Sequence, residues 1–174
     1  MLFIELIREN RKGFENKVLA ISRSLKILPD WLMAVMWLES RLNPQAVNFQ
    51  AGDPHRAEDR ADLRAVGLIQ FLPATARALG TSGAELYRMD ALAQLDFVKK
   101  YFAQFPPPAA FIDLYALCFY PSAVGKPDHW TFPRTVLRYN PSLDDNRDGV
   151  LTKGEWKEKV RRLLPAHARP LLFE

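Results

Sequence analysis

Residues 31–41 read Trp-Leu-Met-Ala-Val-Met-Trp-Leu-Glu-Ser-Arg, an apolar stretch in which Glu39 is the single acidic residue. Leu32, Val35 and Met36 precede it by seven, four and three residues, so a helix places them on the face that carries the glutamate. Such a face is predicted to pack in the core. Hydrocarbon around a carboxyl disfavours the charged form, raises the pKa and allows the group to act as a general acid. From these residues alone, a glutamate that is half solvated at the helix end, or paired with the nearby arginine, explains the pattern equally well.

The length and composition predict one globular domain. The chain has 174 residues, of which 48% are hydrophobic, and this is enough to bury a core. The formal net charge of +4 favours an anionic partner, but no block of like charges concentrates it. A bacterial wall polymer suits this charge, and no nucleic-acid partner is predicted. The single cysteine, Cys118, excludes an internal disulfide.

The sequence shows neither a membrane span nor a signal peptide. No segment has the length and apolar character that crossing a bilayer requires. The first nine residues carry Glu5 and Glu9 around an apolar run and lack a small-residue cleavage site. Action outside the cytoplasm is therefore expected to depend on another export route, or on a leader that is absent from this sequence.

The periodicity of apolar residues predicts a mainly α-helical fold. Residues 1–28 are expected to be helical and to pack through a stripe with intervals of three and four residues. Its members are Phe14, Val18, Ile21, Leu25 and Leu28. Pro29 suits the first turn of the next helix, and Asn43-Pro44 is expected to end it. A later helical stripe consists of Leu95, Val98, Phe102 and Phe105.

Residues 45–65 are polar and lack clear periodicity, which predicts an exposed loop. Its acidic residues are Asp53, Glu58, Asp59 and Asp62. Any of these is a candidate for a second catalytic carboxylate, although solvated acidic residues are the commoner explanation. His55 has no partner histidine or cysteine at ligand spacing and is predicted to be a surface residue.

A second motif follows at residues 67–71, Gly-Leu-Ile-Gln-Phe, with a helix predicted to begin at Pro73. Combined with Glu39-Ser40, it resembles the catalytic domain of lytic transglycosylases in the goose-type-lysozyme-like superfamily, and phage-encoded forms look the most similar. Residues 116–123, Ala-Leu-Cys-Phe-Tyr-Pro-Ser-Ala, resemble the third motif of that family, Ala-Leu-x-Ala-Tyr-Asn-Ala-Gly. The matched segments span residues 29–125 in the family's order, and the resemblance implies a lysozyme-like single domain over residues 1–174.

The resemblance implies that Glu39 is the catalytic acid. It would protonate the leaving glycosidic oxygen and then take a proton from the attacking group. Tyr120 falls on the tyrosine that supports this glutamate, whereas Pro121 stands where the family has asparagine. In a lytic transglycosylase the attacker is the 6-hydroxyl of muramic acid, which gives a 1,6-anhydro product. A hydrolytic relative would need a second carboxylate, about 6.5 to 9.5 Å away in the inverting geometry, to activate water.

Three further residues of the matched motifs are expected to bind substrate or to support the site. Ser40 is expected to hydrogen-bond the substrate, to orient Glu39, or only to cap the helix end. Gly67 would let the backbone approach the sugar closely, and Gln70 would offer an amide to N-acetyl or hydroxyl groups.

Residues 144–155, Asp-Asp-Asn-Arg-Asp-Gly-Val-Leu-Thr-Lys-Gly-Glu, match an EF-hand calcium loop, with Gly149 at the sharp turn. The expected ligands are Asp144, Asn146, Asp148, the carbonyl of Val150, Thr152 directly or through a water, and both oxygens of Glu155. A polar turn without metal is the alternative. One unpaired loop favours a structural Ca²⁺ over a sensor, which depends on helices that reorient. Such loops also occur in some lytic transglycosylases.

These observations predict a monomeric peptidoglycan lytic transglycosylase that acts on the wall, in the periplasm or outside the cell. It would cleave the β-1,4 bond between N-acetylmuramic acid and N-acetylglucosamine and need no cofactor for the chemistry. A hydrolytic goose-type lysozyme is the first alternative, and a chitin-type glycosidase is the next. A calcium-stabilised wall-binding or virion structural module without catalysis is the alternative from another class.

Overall fold

The computed structural model describes residues 1–48 and 56–173. Its described residues are mainly helical, which confirms the predicted fold class. The α-helices are α1 (Arg11–Leu25), α2 (Pro29–Ser40), α3 (Ala57–Arg60), α4 (Pro73–Ala78), α5 (Gly83–Arg88), α6 (Ala91–Phe102), α7 (Phe111–Phe119), α8 (Arg134–Tyr139), α9 (Lys153–Leu163) and α10 (Arg169–Phe173). Short 3₁₀ helices cover Ile4–Leu6, Pro121–Ala123, Pro141–Leu143 and Ala166–Ala168. None of the helices in the described ranges is long and apolar enough to cross a membrane.

The chain forms two compact units, Met1–Pro107 and Pro108–Glu174. The first unit contains α1 to α6, and the second contains α7 to α10. One domain over residues 1–174 stays a prediction.

The first unit is organised around α1, which packs against α2 and α6. Phe14, Val18 and Ile21 are buried on α1, as the apolar stripe predicts. The predicted continuation of the helix to residue 28 is wrong, because Lys26 takes a left-handed conformation with φ 57° and ends α1. Leu28 consequently lies outside the stripe and is 53% exposed.

Helix α2 supplies the centre of the first unit. Pro29 occupies its first turn, where the missing backbone N–H costs no helical hydrogen bond. Leu32, Val35 and Met36 are fully buried, which confirms that this face of the helix is core. The adjacent face is buried as well, since Met33 and Ala34 are also inaccessible to solvent. A helix that is apolar on most sides belongs in the interior.

The second unit is built on aromatic packing around Trp156 of α9, which is 2% exposed. Its indole stacks on the rings of Tyr115 and Phe119 from α7, with centroid distances of 5.5 and 5.1 Å. Phe132 packs edge-on against the same indole at 5.8 Å. Aromatic pairs in stacked and edge-on geometry contribute beyond the area that they bury. This cluster fixes α7 and α9 to each other within the second unit.

Candidate active site

Glu39 lies in the last turn of α2 and is half-buried. The two residues after Ser40 both adopt left-handed backbone conformations, with φ 57° at Arg41 and 62° at Leu42. Non-glycine residues avoid this region, and each such position costs about 1 to 3 kcal/mol unless neighbouring contacts hold it. Here Leu42 is 5% exposed, and the Arg41 guanidinium lies 3.5 Å from the centroid of the Trp37 ring. The helix therefore ends abruptly, just after the glutamate.

Ser40 joins this helix end to the second motif. Its hydroxyl is buried, and Oγ lies 3.0 Å from the carbonyl oxygens of both Met36 and Leu68. Because a hydroxyl carries one proton, the two carbonyls share it. The structure thus places the hydroxyl inside the protein, where it fastens the residue next to Glu39 to Leu68.

The second motif is a tight turn. Val66 and Phe71 exchange both backbone hydrogen bonds, at 3.1 and 2.8 Å, and close the turn that contains residues 67–70. Gln70 has a left-handed φ of 51°, and its Nε2 donates to the carbonyls of Gly67 and Ala46 at 3.1 and 3.2 Å. The NH₂ group of the Gln70 amide therefore donates within the protein, to one carbonyl of the turn and to one of the segment after α2.

Gly67 meets a steric requirement of the protein interior. Its φ is 81°, and a Cβ on this residue would collide with Oε1 of Gln94. The backbone N–H of Gly67 donates to the carbonyl of Ala46 at 2.8 Å. The missing side chain thus makes room for a buried glutamine.

Gln94 is a buried polar contact of the second motif that the sequence analysis missed. It is fully buried on α6 and hydrogen-bonds the turn through Leu68 N, at 2.9 Å from its Oε1. It lies four residues before Val98 and eight before Phe102, and both of these are buried members of the predicted stripe. The sequence did contain a signal for it, because a glutamine at helical spacing on an apolar face is expected to be buried with hydrogen-bond partners.

The acidic residues of the loop are described in part. Asp53, a candidate second carboxylate, and His55 lie outside the described residues. Glu58 is 3.6 Å from Nε of Arg88 in an exposed ion pair, and Asp62 accepts the backbone N–H of Ala84 at 2.9 Å. These two carboxylates therefore have partners on or near α5.

The third motif lies in the second unit, at the end of α7. Tyr120 is half-buried and follows the last residue of the helix, and its backbone N–H donates to the carbonyl of Ala116 at 2.7 Å. Its ring lies 5.7 Å from Phe132 and 6.3 Å from Trp130, centroid to centroid. Pro121 begins the 3₁₀ helix that follows. The role of Tyr120 toward Glu39 stays a prediction of the resemblance.

Residues 144–155 form a loop whose polar groups bond to its own backbone. Asp144 Oδ2 accepts Gly149 N at 2.9 Å, and Asp148 Oδ1 accepts Val150 N at 2.8 Å. Glu155 Oε2 accepts Thr152 N at 2.9 Å in the capping box that begins α9. Within residues 1–48 and 56–173, no group of three His, Cys, Asp or Glu side chains is arranged to hold a metal ion.

Two carboxylate oxygens of this loop are nevertheless buried without a hydrogen-bond partner. They are Oδ1 of Asp144 and Oε1 of Glu155, at the first and last positions of the predicted calcium loop. Buried carboxylate oxygens normally have a partner, because losing hydration without one is costly. A cation with oxygen ligands would satisfy both.

Comparison with known proteins identifies the part of the chain that carries the first two motifs. Residues 18–95 match the family model of the transglycosylase SLT domain. No curated protein and no solved structure matches the chain. The matched range includes Glu39, the second motif and Gln94, and it ends before α7. This match indicates that residues 18–95 form a transglycosylase SLT domain, and at the level of that family it supports an enzyme that acts on the peptidoglycan of the cell wall.

Proposed function

We propose that the protein cleaves the β-1,4 bond between N-acetylmuramic acid and N-acetylglucosamine with Glu39 as general acid and base. The supporting observation is the 3.0 Å contact between Ser40 Oγ and the Leu68 carbonyl. It fastens the end of α2 to the second motif, and both lie within the matched range of residues 18–95. A catalytic carboxyl needs a fixed position relative to its substrate, and this contact supports the proposal by holding the helix end that carries Glu39.

The chemistry requires only one carboxyl group. The protonated Glu39 gives its proton to the glycosidic oxygen as the bond from that oxygen to the anomeric carbon breaks. The resulting carboxylate then accepts the proton of the muramic acid 6-hydroxyl while that oxygen forms a bond to the same carbon. The product carries a 1,6-anhydro ring, no water is consumed, and Glu39 returns to its protonated form.

The contacts of the second motif suggest how it serves the reaction. Because Gln70 Nε2 donates to the Gly67 and Ala46 carbonyls, a hydrogen bond from the substrate to this residue would be accepted by its Oε1. Gly67 and Ser40 act on the substrate indirectly, by shaping the backbone beside Glu39.

The test is mass spectrometry of the fragments that the wild-type protein and Glu39→Gln release from purified peptidoglycan. We expect anhydro-muramyl ends, one water lighter than reducing ends, from the wild type alone. Reducing ends would replace this proposal with a hydrolytic lysozyme and would direct attention to Asp53 and Asp59. Glycan binding without turnover on wall or chitin would favour the non-catalytic wall-binding module.

We also propose that residues 144–155 bind one structural Ca²⁺. Asp144, Asn146, Asp148 and Glu155 would provide side-chain oxygens, with the Val150 carbonyl and Thr152 completing the set. The support is the pair of buried, unpartnered oxygens on Asp144 and Glu155 at the two ends of the loop. Gly149, at the sixth position, has the positive φ of 80° that the turn of such a loop requires.

The proposed ion would stabilise the segment that surrounds Tyr120. The loop pairs with residues 128–132 through hydrogen bonds of 2.8 Å from Phe132 N to the Leu151 carbonyl and from Lys153 N to the Trp130 carbonyl. Phe132 and Trp130 in turn pack against Tyr120. We expect chelation to lower the melting temperature and added calcium to restore it. An unchanged melting curve, with no heat of calcium binding in titration calorimetry, would refute the ion site.

The phage-type origin and the monomeric state rest on the resemblance and the sequence. The substrate itself implies action in the periplasm or outside the cell. Sedimentation velocity would test the monomeric state.

A further inference from the structure

The strongest unexplained feature of the first unit is the polar side chain of Gln94, which is fully buried. Its Oε1 accepts the Leu68 N–H at 2.9 Å, and its Nε2 donates to the carbonyls of Pro44 and Leu86, each at 2.7 Å. Both amide hydrogens and the acceptor oxygen are therefore used. A buried amide with this many partners specifies one arrangement of the segments that it joins.

Two of these partners lie in segments that connect to the end of α2, where Glu39 lies. Pro44 belongs to the segment that leaves α2, five residues after the glutamate, and Leu68 belongs to the second motif. Leu68 is held twice, because its N–H donates to Gln94 and its carbonyl accepts from Ser40 Oγ at 3.0 Å. A continuous path of hydrogen bonds thus runs from α6 through one peptide segment to the residue next to Glu39.

We propose that Gln94 is a positioning residue, which fixes the position of Glu39 through Leu68 and Ser40. This inference rests on the proposed function of Glu39. The left-handed residues Arg41 and Leu42 make the end of α2 dependent on surrounding contacts, since their backbone conformation is intrinsically unfavourable. Removing the amide breaks its hydrogen bonds to Leu68 and Pro44 together, and the carboxyl then samples positions unsuited to proton transfer.

The test compares Gln94→Met with Val98→Ala. Methionine has a similar volume to glutamine but makes none of the three hydrogen bonds. Val98 is fully buried one turn later on α6, so its truncation destabilises the same helix through a cavity without touching the path. Rates on soluble muramyl glycan chains are measured at a temperature where circular dichroism shows both variants folded. We expect Gln94→Met to lower kcat at least tenfold with KM within twofold of the wild type, and Val98→Ala to keep both within twofold.

Two further measurements separate positioning from folding. Amide hydrogen exchange at Leu68 should accelerate in Gln94→Met and not in Val98→Ala. In a Ser40→Ala background, Gln94→Met should lower kcat much less than in the wild type, because the path is already broken. Should Gln94→Met fail to fold, Gln94→Asn retains the amide on a side chain one methylene shorter, and its kcat should fall at least threefold.

The outcomes distinguish this inference from the proposed function. Equal kcat in folded Gln94→Met and Val98→Ala would overturn the positioning role while leaving Glu39 as the acid. If Gln94→Met lowered kcat by the same factor in the wild-type and Ser40→Ala backgrounds, the path through Ser40 would be overturned. Full turnover by Glu39→Gln would refute the proposed function, and Leu68 exchange would still report whether Gln94 holds the turn.

Discussion

Each unit of the protein contains a buried polar side chain that joins a helix to other segments, Gln94 in the first and Lys153 in the second, and these two residues differ in charge. In the first unit the neutral amide of Gln94 bonds only to backbone groups, those of Pro44, Leu68 and Leu86. In the second unit Lys153 Nζ lies 2.7 Å from Asp113 Oδ1, and their side chains are 4% and 11% exposed. The ion pair also makes hydrogen bonds to backbone groups: Asp113 accepts the Gly125 N–H, and Lys153 donates to the Lys126 carbonyl.

The difference in charge determines what each connection contributes. A buried amide loses its hydrogen bonds to water, but hydrogen bonds to protein groups offset most of that loss when every donor and acceptor has a partner. It can therefore orient a site at a modest cost in stability. Burying two charges is expensive, and their attraction offsets this cost only while both are present. The amide is therefore expected to act mainly on the geometry of catalysis, and the ion pair mainly on stability.

The largest expected effect comes from removing one charge of the buried pair. Lys153→Met leaves Asp113 buried with an unpaired charge and should lower the free energy of unfolding by about 3 to 5 kcal/mol. Urea denaturation followed by tryptophan fluorescence measures this loss. The matched control is Lys157→Met, whose pair with Asp128 has the same 2.7 Å distance but is 39% and 60% exposed. The control should lose less than about 1 kcal/mol, and similar losses in both variants would contradict the assigned role of burial.

The second-largest expected loss of stability comes from Gly67→Ala, which tests the contact between Gly67 and Gln94. Gly67→Ala should cost about 2 to 4 kcal/mol, because the new methyl both strains the positive φ and displaces the buried amide. Gly80→Ala is the matched control, since Gly80 has a φ of 80° against 81° and nothing lies within 4 Å of its added Cβ. The control should cost only about 1 to 2 kcal/mol. Equal losses in urea denaturation would mean that Gln94 moves aside freely.

Local features of the fold could be read from the sequence. Pro29 begins α2 as expected, because the restricted φ of proline acts within the first helical turn. The buried face of α2 follows from its composition. The end of α1 was misplaced, because nothing in the local sequence requires Lys26 to adopt a left-handed conformation.

The polar connections could not be predicted, because their partners are distant in sequence. Gln94 meets Leu68 across 26 residues, and Lys153 meets Asp113 across 40. For Gly67 the sequence suggested a close approach of the backbone to a sugar, and the structure adds a contact that the sequence did not reveal, since a Cβ here would collide with Gln94. Motif resemblance identifies which residues matter, but which group each one contacts depends on tertiary packing.

A smaller effect would show that the second unit depends on calcium as well as on its ion pair. Glu155→Gln keeps an acceptor for the capping box but loses the charge and the second ligand oxygen. At ten times the Kd, calcium should stabilise the wild type by about 1.4 kcal/mol and this variant much less. Asp145→Asn removes a charge from the same loop at a position that is not a predicted ligand. It should keep the calcium response, and loss of the response in both variants would indicate a general charge effect.

The smallest expected effect comes from Glu158, an exposed carboxylate on α9. It shows how little an exposed charge contributes to the stability of this unit. A hydrogen bond from Arg161, with further help from Arg162, lowers the pKa of Glu158 from its ordinary value of 4.5 to about 2. Because the folded state holds the lower pKa, the stabilisation is present above about pH 4.5 and is lost as the pH falls toward 2. Glu158→Gln should therefore melt slightly below the wild type at pH 6, and the two melting temperatures should converge near pH 2. High salt at pH 6 should shrink the same difference, because exposed pairs are screened. A difference that persists at pH 2 would have to come from packing of the side chain rather than from its charge.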